Sequence, residues 1–381
     1  MDNSKRIFVG ACMSLLIFGM VAVTLGSVLP EIVIKFKASQ LAAGVLTSLL
    51  PIGIMGGSLL FGPIADRYGY KELLIICCLF ILLGLEGIAF GSTWGIVQLS
   101  VISIGLGGGA LNGATNALVA DISEGERSAK LSLLGIFYGL GAIVMPFLLA
   151  ILSNWISRET IFIGIGGFVL FVIIYLLALK FPIAKQSTGV PIKTWMHLLQ
   201  NKVLLGFSII LFFQSGMEIT LSNWITSFLQ EKSNTLPRMA LIALTMHMVA
   251  LTTMRLILSR LLNKYTPAKV LAVCILLNSL GCVLFLLSTS YSMVVGALIL
   301  MGLGFSGTFP IVLAQIGNIW PRLSGTAFSI ALLICMLGGT IINYFMGLFD
   351  IDGLPLLMLG SVLLLGLSFK LSLPSFNIDK N

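Results

Sequence analysis

The sequence predicts an all-α membrane protein of twelve spanning helices, built as two pseudo-symmetric six-helix bundles, and three observations carry that reading. Of 381 residues, 58% are hydrophobic and only 9% are charged, with a mean hydropathy of +1.09, whereas soluble domains carry about 25% charged residues. Apolar runs long enough to cross hydrocarbon as helix, which takes about 20 residues, follow one another along the chain with short polar breaks. A single shift in numbering also lays landmarks of the first half over those of the second.

Hydropathy places the helices, in order, over 6–34, 40–64, 71–91, 93–120, 129–153, 160–181, 202–230, 238–262, 268–288, 291–318, 323–348 and 352–372. The first run is too long for the apolar core of a signal peptide, and no small-residue cleavage pattern follows it before the next span, so it reads as a retained helix. The longest polar interruption, FPIAKQSTGVPIKTWMHLLQN at 181–201, holds two prolines before an amphipathic patch around Trp195, Leu198 and Leu199. It reads as a cytoplasmic linker lying partly in the membrane interface. The chain is thereby divided into an N-terminal bundle at 1–181, a linker at 182–201 and a C-terminal bundle at 202–381.

Charge placement sets the orientation. With the N-terminus in the cytoplasm, Lys35, Lys37, Arg158, Lys232 and Arg238 fall outside, Arg255 lies within a span, and the other 16 of the 22 Lys and Arg residues fall inside. That excess places both termini in the cytoplasm of a multi-pass protein of the bacterial inner membrane. The net charge of +8 is then a property of topology, and nucleic acid is not an expected partner. All six cysteines lie within apolar runs, where they read as small core residues rather than a disulfide framework.

The repeat rests on a shift of 197 residues. It carries Asp66, Arg67 and Tyr68 of GPIADRYGYK onto Asn263, Lys264 and Tyr265 of SRLLNKYTPAK. Gly105 and Gly107 move onto Gly302 and Gly304, Gly19 and Met20 onto Gly216 and Met217, and Gly141 onto Gly338. Parallel repeats of six spans are an arrangement of secondary transporters, whose substrate site lies between the halves near the bilayer midplane.

GPIADRYGYK, at 62–71, resembles the loop two–three signature of the major facilitator superfamily. The resemblance implies the major facilitator fold. It also implies a gating role for Asp66, Arg67 and Lys71 when the cytoplasmic side shuts, with Gly62 letting two helices approach. The second copy has Ser259 and Asn263 at the glycine and aspartate places, so a charge lock there is expected to be weaker. Three further stretches, GLGGGALNGATNALVAD, QSGMEITLSNWITSFL and GLGFSGTFPIVLA, resemble the fucose, galactose and glucose symporter family, including its glucose and mannose permease branch. That implies a monosaccharide as substrate. Two departures bear on coupling: Asn112 stands where the family places a carboxylate in helix four, and no acid lies between Lys5 and Glu31.

Ionisable groups at membrane depth are costly, which makes each a functional candidate. Glu218 shares a helix face with Gln214 and Ser222 at i, i+4 spacing, and reads as a substrate or coupling residue, or as a structural acid. His247 on the next helix is a candidate to share a proton with Glu218, or is a satisfied interior histidine. Arg255, near the cytoplasmic end of its helix, reads as a gate or anchor. Glu86 reads as peripheral. Asn112 and Asn116 share a face of helix four among glycines, where amides suit sugar hydroxyls or tie helices together. Asn223 and Trp224 complete the helix-seven candidates, the indole either covering a pyranose face or joining the aromatic belt. Gln315, with Thr308, Asn343, Tyr344 and Tyr138 behind it, is a weaker substrate-binding candidate.

The expected function is secondary active transport of a small polar solute, a hexose by resemblance, by alternating access in symport with a cation. The alternative is proton-driven export of drugs or metabolites. Against it, helix five reads YGLGAIVMPFLLA and lacks the adjacent Gly-Pro usual in such exporters of the superfamily. A non-transporting sensor would need a relay domain, and no soluble domain or long tail is present. An enzyme lacks its parts: no metal-ligand cluster, no nucleophile–base pair at motif spacing and no phosphate-cradling loop. No cofactor or metal is expected beyond a coupling H+ or Na+, and the chain is expected to work as a monomer in the bilayer. Sugar identity and coupling ion stay open.

Overall fold

The computed structural model describes residues 3–123, 127–181, 198–320 and 323–380. Among them are twelve helices long and apolar enough to cross a membrane. They are α1 (Asn3–Phe36), α2 (Gln40–Tyr68), α3 (Tyr70–Phe90), α4 (Trp94–Ile122), α5 (Arg127–Leu152) and α6 (Arg158–Leu177), then α7 (Lys202–Lys232), α8 (Pro237–Leu262), α9 (Pro267–Leu286), α10 (Tyr291–Ile319), α11 (Ser324–Leu348) and α12 (Leu354–Ser372). Most of the linker assigned to 182–201, including Trp195, lies outside the described residues.

Local chemistry fixes the helix ends. Thr93 Oγ1 accepts from Ile96 N to start α4, and Ser290 Oγ accepts from Met293 N at the equivalent point of α10. Asn201 Oδ1 takes the backbone N–H groups of Val203 and Leu204 at the head of α7. Two ends differ most from the hydropathy reading. Helix α2 runs on through Arg67 to Tyr68, and the chain then turns at Gly69, whose φ of 92° suits glycine. Helix α6 stops at Leu177 rather than 181, where Lys71 Nζ donates to Leu177 O at 2.6 Å and Leu179 O at 3.1 Å. A cation on the last carbonyls of a helix is favourable both as a cap and against the helix dipole.

The backbone divides into two compact units. One draws on Met1–Ala38, Leu49–Thr188 and Pro237–Thr245; the other on Ser39–Ser48, Gly189–Leu236 and Met246–Asn381. Two short segments thus belong with the unit formed mainly by the opposite half, the start of α2 and the start of α8. The shift of 197 carries Gln40–Ser48 onto 237–245, so the exchange itself follows the repeat.

Within each unit the same helix pairs recur. Helix α1 packs on α5 and α3 on α4; α7 packs on α11 and α9 on α10. Between helices in lipid there is no hydrophobic drive, so close backbone contact at small residues does the joining. A Cβ built on Gly105 would lie 2.6 Å from Leu50 O, and one built on Gly302 would lie 2.6 Å from His247 O. For Gly107 and Gly304 the neighbours are Cys77 O at 2.6 Å and Cys274 O at 2.7 Å. Gly84 and Gly281 meet Ser100 O at 2.7 Å and Ala297 O at 3.0 Å. Each partner, like each glycine, moves by 197, so the repeat seen in sequence is a repeat of contacts. All six cysteines are buried and free, four of them in the α3 and α9 faces against these seams.

The tightness of one seam predicts a contrast. In Gly105→Ala the new methyl meets only backbone, so α2 and α4 must separate, at a cost of about 1–3 kcal/mol. Gly360→Ala, with nothing within 4 Å, should be neutral or gain up to about 1 kcal/mol of helix propensity. Thermal midpoints of the two variants in the same detergent check this, and equal midpoints would contradict it.

Candidate functional site

Polar side chains inside the second unit gather at three places. On α7, Gln214 and Glu218 lie one turn apart, as the i, i+4 pattern requires, and Gln214 Nε2 donates to Glu218 Oε2 at 2.9 Å. The same nitrogen reaches Phe305 O on α10 at 3.2 Å. A flipped amide would set Gln214 Oε1 against both acceptors, so the orientation is fixed. Gln214 Oε1 is left as a buried acceptor without a partner among the described residues. The second oxygen of Glu218, Oε1, stands 3.9 Å from Arg255 Nη2, with side-chain exposures of 21% and 26% for acid and base.

Arg255 therefore stands beside Glu218 rather than only at the end of α8. His247 makes a different bond: its Nδ1 lies 2.8 Å from Leu298 O on α10. A carbonyl accepts only, so Nδ1 carries the hydrogen and Nε2 is a buried acceptor without a partner among the described residues. The imidazole stands edge-on to Phe305 at 5.8 Å between ring centroids. Phe305 thus touches both polar centres, by its carbonyl and by its ring.

The third place is a tie between α7 and α11. Asn343 Oδ1 accepts from Asn223 Nδ2 and from Trp224 Nε1, each at 3.2 Å, while Asn343 Nδ2 donates to Gly339 O at 2.7 Å. All three side chains are buried, with Trp224 only 1% exposed. Asn223 and Trp224 are therefore engaged with α11, and the indole lies in the helix seam rather than on an open face. Gln315 and Thr308 are buried on α10, whereas Tyr344 is exposed.

In the first unit, Asn116 Nδ2 donates to Asn112 O at 2.8 Å and to Asn112 Oδ1 at 3.0 Å, and both residues are half-buried. Asn112 Nδ2 and Asn116 Oδ1, one donor and one acceptor, are the amide groups this contact does not engage. Of the residues assigned to gating, Lys71 caps α6, and Arg67 is exposed with its guanidinium 5.2 Å over the Tyr68 ring. The Asp66 side chain lies outside the described residues. Tyr70, which the sequence reading did not single out, donates to Asp121 Oδ2 at 2.9 Å. Arg255 as the partner of Glu218 carried a sequence signal, because opposite charges inside neighbouring spans tend to pair.

The α7–α11 tie predicts an order of stabilities. Asn343→Leu leaves two buried donors unpaired, at a cost of about 1–3 kcal/mol each, whereas Trp224→Phe removes one donor and leaves the other bond in place. Thermal unfolding should rank Asn343→Leu below Trp224→Phe, and the reverse order would exclude this bonding.

Residues 7–343, and in an overlapping match 229–376, fit the family model described as Major Facilitator Superfamily. The glucose/mannose transporter GlcP of Bacillus subtilis (strain 168) is 24% identical over 378 residues, covering 93% of this chain and 91% of that protein. Multidrug resistance protein 3 of the same organism is 26% identical over 176 residues, 45% of this chain and 34% of that protein, so the chain spans about a third of its length. Among solved structures, a mutant form of the nucleoside transporter NupG superposes with a TM-score of 0.80 at 18% identity, covering 97% of this chain and 100% of that one. The D-xylose-proton symporter gives 0.80 at 14% identity over 96% of this chain and 97% of that one. At these identities the structural likeness speaks for the fold. Twelve spans in two repeat-related sets, with a family model matched from residue 7 to residue 343, establish that the chain belongs to the Major Facilitator Superfamily.

Proposed function

We propose that this transporter carries a monosaccharide of the hexose class by alternating access, in symport with protons, across a bacterial inner membrane with both its termini in the cytoplasm. The observation that carries the substrate class is the likeness to a glucose/mannose transporter over 93% of the chain. The chemistry of the polar groups agrees with it. Sugar hydroxyls donate and accept at once, and both units offer amides that do the same, Asn112 and Asn116 in one and Gln214 in the other. A neutral polyol also needs no net charge opposite it, and Glu218 with Arg255 has none.

That pair supports a proton as the coupling ion. A sodium ion takes several oxygen ligands, and a guanidinium 3.9 Å from the carboxylate opposes any metal cation there. A proton is different, because Glu218 can take it as a covalent bond once Arg255 moves off. The duplication of six spans by a shift of 197 residues supports alternating access, because parallel six-span repeats are an arrangement of secondary transporters. The excess of basic residues on one side of the spans supports the orientation.

A second reading, export of drugs or metabolites, draws on the partial likeness to a multidrug resistance protein. Counterflow in proteoliposomes separates the two. Labelled glucose, mannose and other hexoses should exchange saturably, with unlabelled hexose competing and nucleosides or lipophilic cations failing to compete. Exchange of nucleosides or lipophilic cations without exchange of any hexose, in protein shown to be folded, would exclude the sugar assignment.

A further inference from the structure

One intramembrane acid takes no part in the site described above. Glu86 lies on α3 in the first unit, four residues before Phe90 at the helix end, or about 6 Å along the axis. Its carboxylate enters α6 at Gly166: a Cβ built there would collide with Glu86 Oε1 and lie 3.1 Å from Leu82 Cδ1. Glycine at 166 is thus the residue that makes room for the acid. Among the described residues Glu86 makes no hydrogen bond and no ion pair.

The surroundings are apolar and exposed. Leu83 and Phe90 on α3 and Ile163 on α6 are 68%, 55% and 53% exposed. On the same outward side of α6, a Cβ at Gly164 or at Gly167 would meet nothing within 4 Å. A carboxylate sits in a notch between two helices, open to the bilayer near the head-group level, with no cation among the described residues to answer it.

An acid so placed calls for a cation that brings its own hydrogen-bond donors and its own apolar anchor. We propose that the Glu86–Gly166 notch binds an aminophospholipid, with the primary ammonium of a phosphatidylethanolamine head group on the carboxylate and its acyl chains along Leu83 and Ile163. Charge complementarity selects the ammonium. The N–H donors select ethanolamine over choline, because a quaternary ammonium carries charge but cannot donate, and charge-assisted hydrogen bonds are the strong ones. Lipid bound here bridges α3 and α6, which pack together in this unit.

The test uses the full chain in nanodiscs of defined lipid and reads retained lipid by native mass spectrometry. Along the series phosphatidylethanolamine, its N-methyl and N,N-dimethyl forms, and phosphatidylcholine, retention by the wild type should fall stepwise as N–H donors are lost. Glu86→Gln, which keeps the shape and removes the charge, should flatten the series and retain phosphatidylethanolamine about tenfold more weakly. A flat series in the wild type overturns the proposal even if the variant does not fold, and so does a variant that retains phosphatidylethanolamine as the wild type does. Loss of the preference in Glu86→Gln alone, with hexose exchange intact, is the expected pattern.

Discussion

The constraint on which this structure depends is the close backbone approach of helix pairs at glycine. In hydrocarbon each helix satisfies its own backbone hydrogen bonds, and apolar side chains gain nothing by leaving lipid for one another. What holds α4 to α2 and α3, and α10 to α8 and α9, is the absence of side chains where backbones meet. Gly105 on Leu50 and Gly302 on His247 are the same contact made twice, as are Gly107 on Cys77 and Gly304 on Cys274. The fold is a set of such seams, copied once.

Onto that copied frame the two halves place different chemistry. At one seam the first half has Leu50 and Gly53 where the second has His247 and Ala250; at the other, Ile81 answers to Asn278. The second half has thus put an imidazole and an amide into contacts that the first makes with aliphatic groups. Around Phe305 lie two buried acceptors with no partner among the described residues, Gln214 Oε1 and His247 Nε2, beside the half-buried Glu218–Arg255 pair. An unpaired buried acceptor costs about 1–3 kcal/mol. At the places of Glu218 and Arg255 the first half has Val21 and Ser58, which makes the repeat symmetric in architecture and asymmetric in charge.

Much of this was legible in sequence. Twelve spans and the duplication are visible because hydropathy and glycine spacing report directly on what lipid demands, and membership of the superfamily is visible in the GPIADRYGYK motif that resembles its signature. So is the value of Glu218, since an acid in a span is costly wherever it points. The rest depends on where side chains point in three dimensions. Lys71 reads as part of a gating motif, yet its ammonium lies on the last carbonyls of α6, 106 residues away in sequence. Trp224 reads as open to a sugar or to the interface, yet its N–H is taken by Asn343 on α11. His247 reads as a proton partner of Glu218 or as a satisfied interior histidine, and its bonded neighbour is Leu298 O. Helix ends shift for related reasons: Gly69 and Lys71, both outside α6, decide where α2 and α6 stop.

In the proposed cycle Glu218, answered by Arg255, exchanges the proton that drives sugar uptake. The most direct measurement is the external pH of a lightly buffered suspension of cells or proteoliposomes when hexose is added. The wild type should alkalinise the medium as sugar and proton enter together, and Glu218→Gln should exchange hexose with no change of pH. A pH response in Glu218→Gln equal to that of the wild type would contradict the account, and so would hexose accumulation driven by a sodium gradient alone.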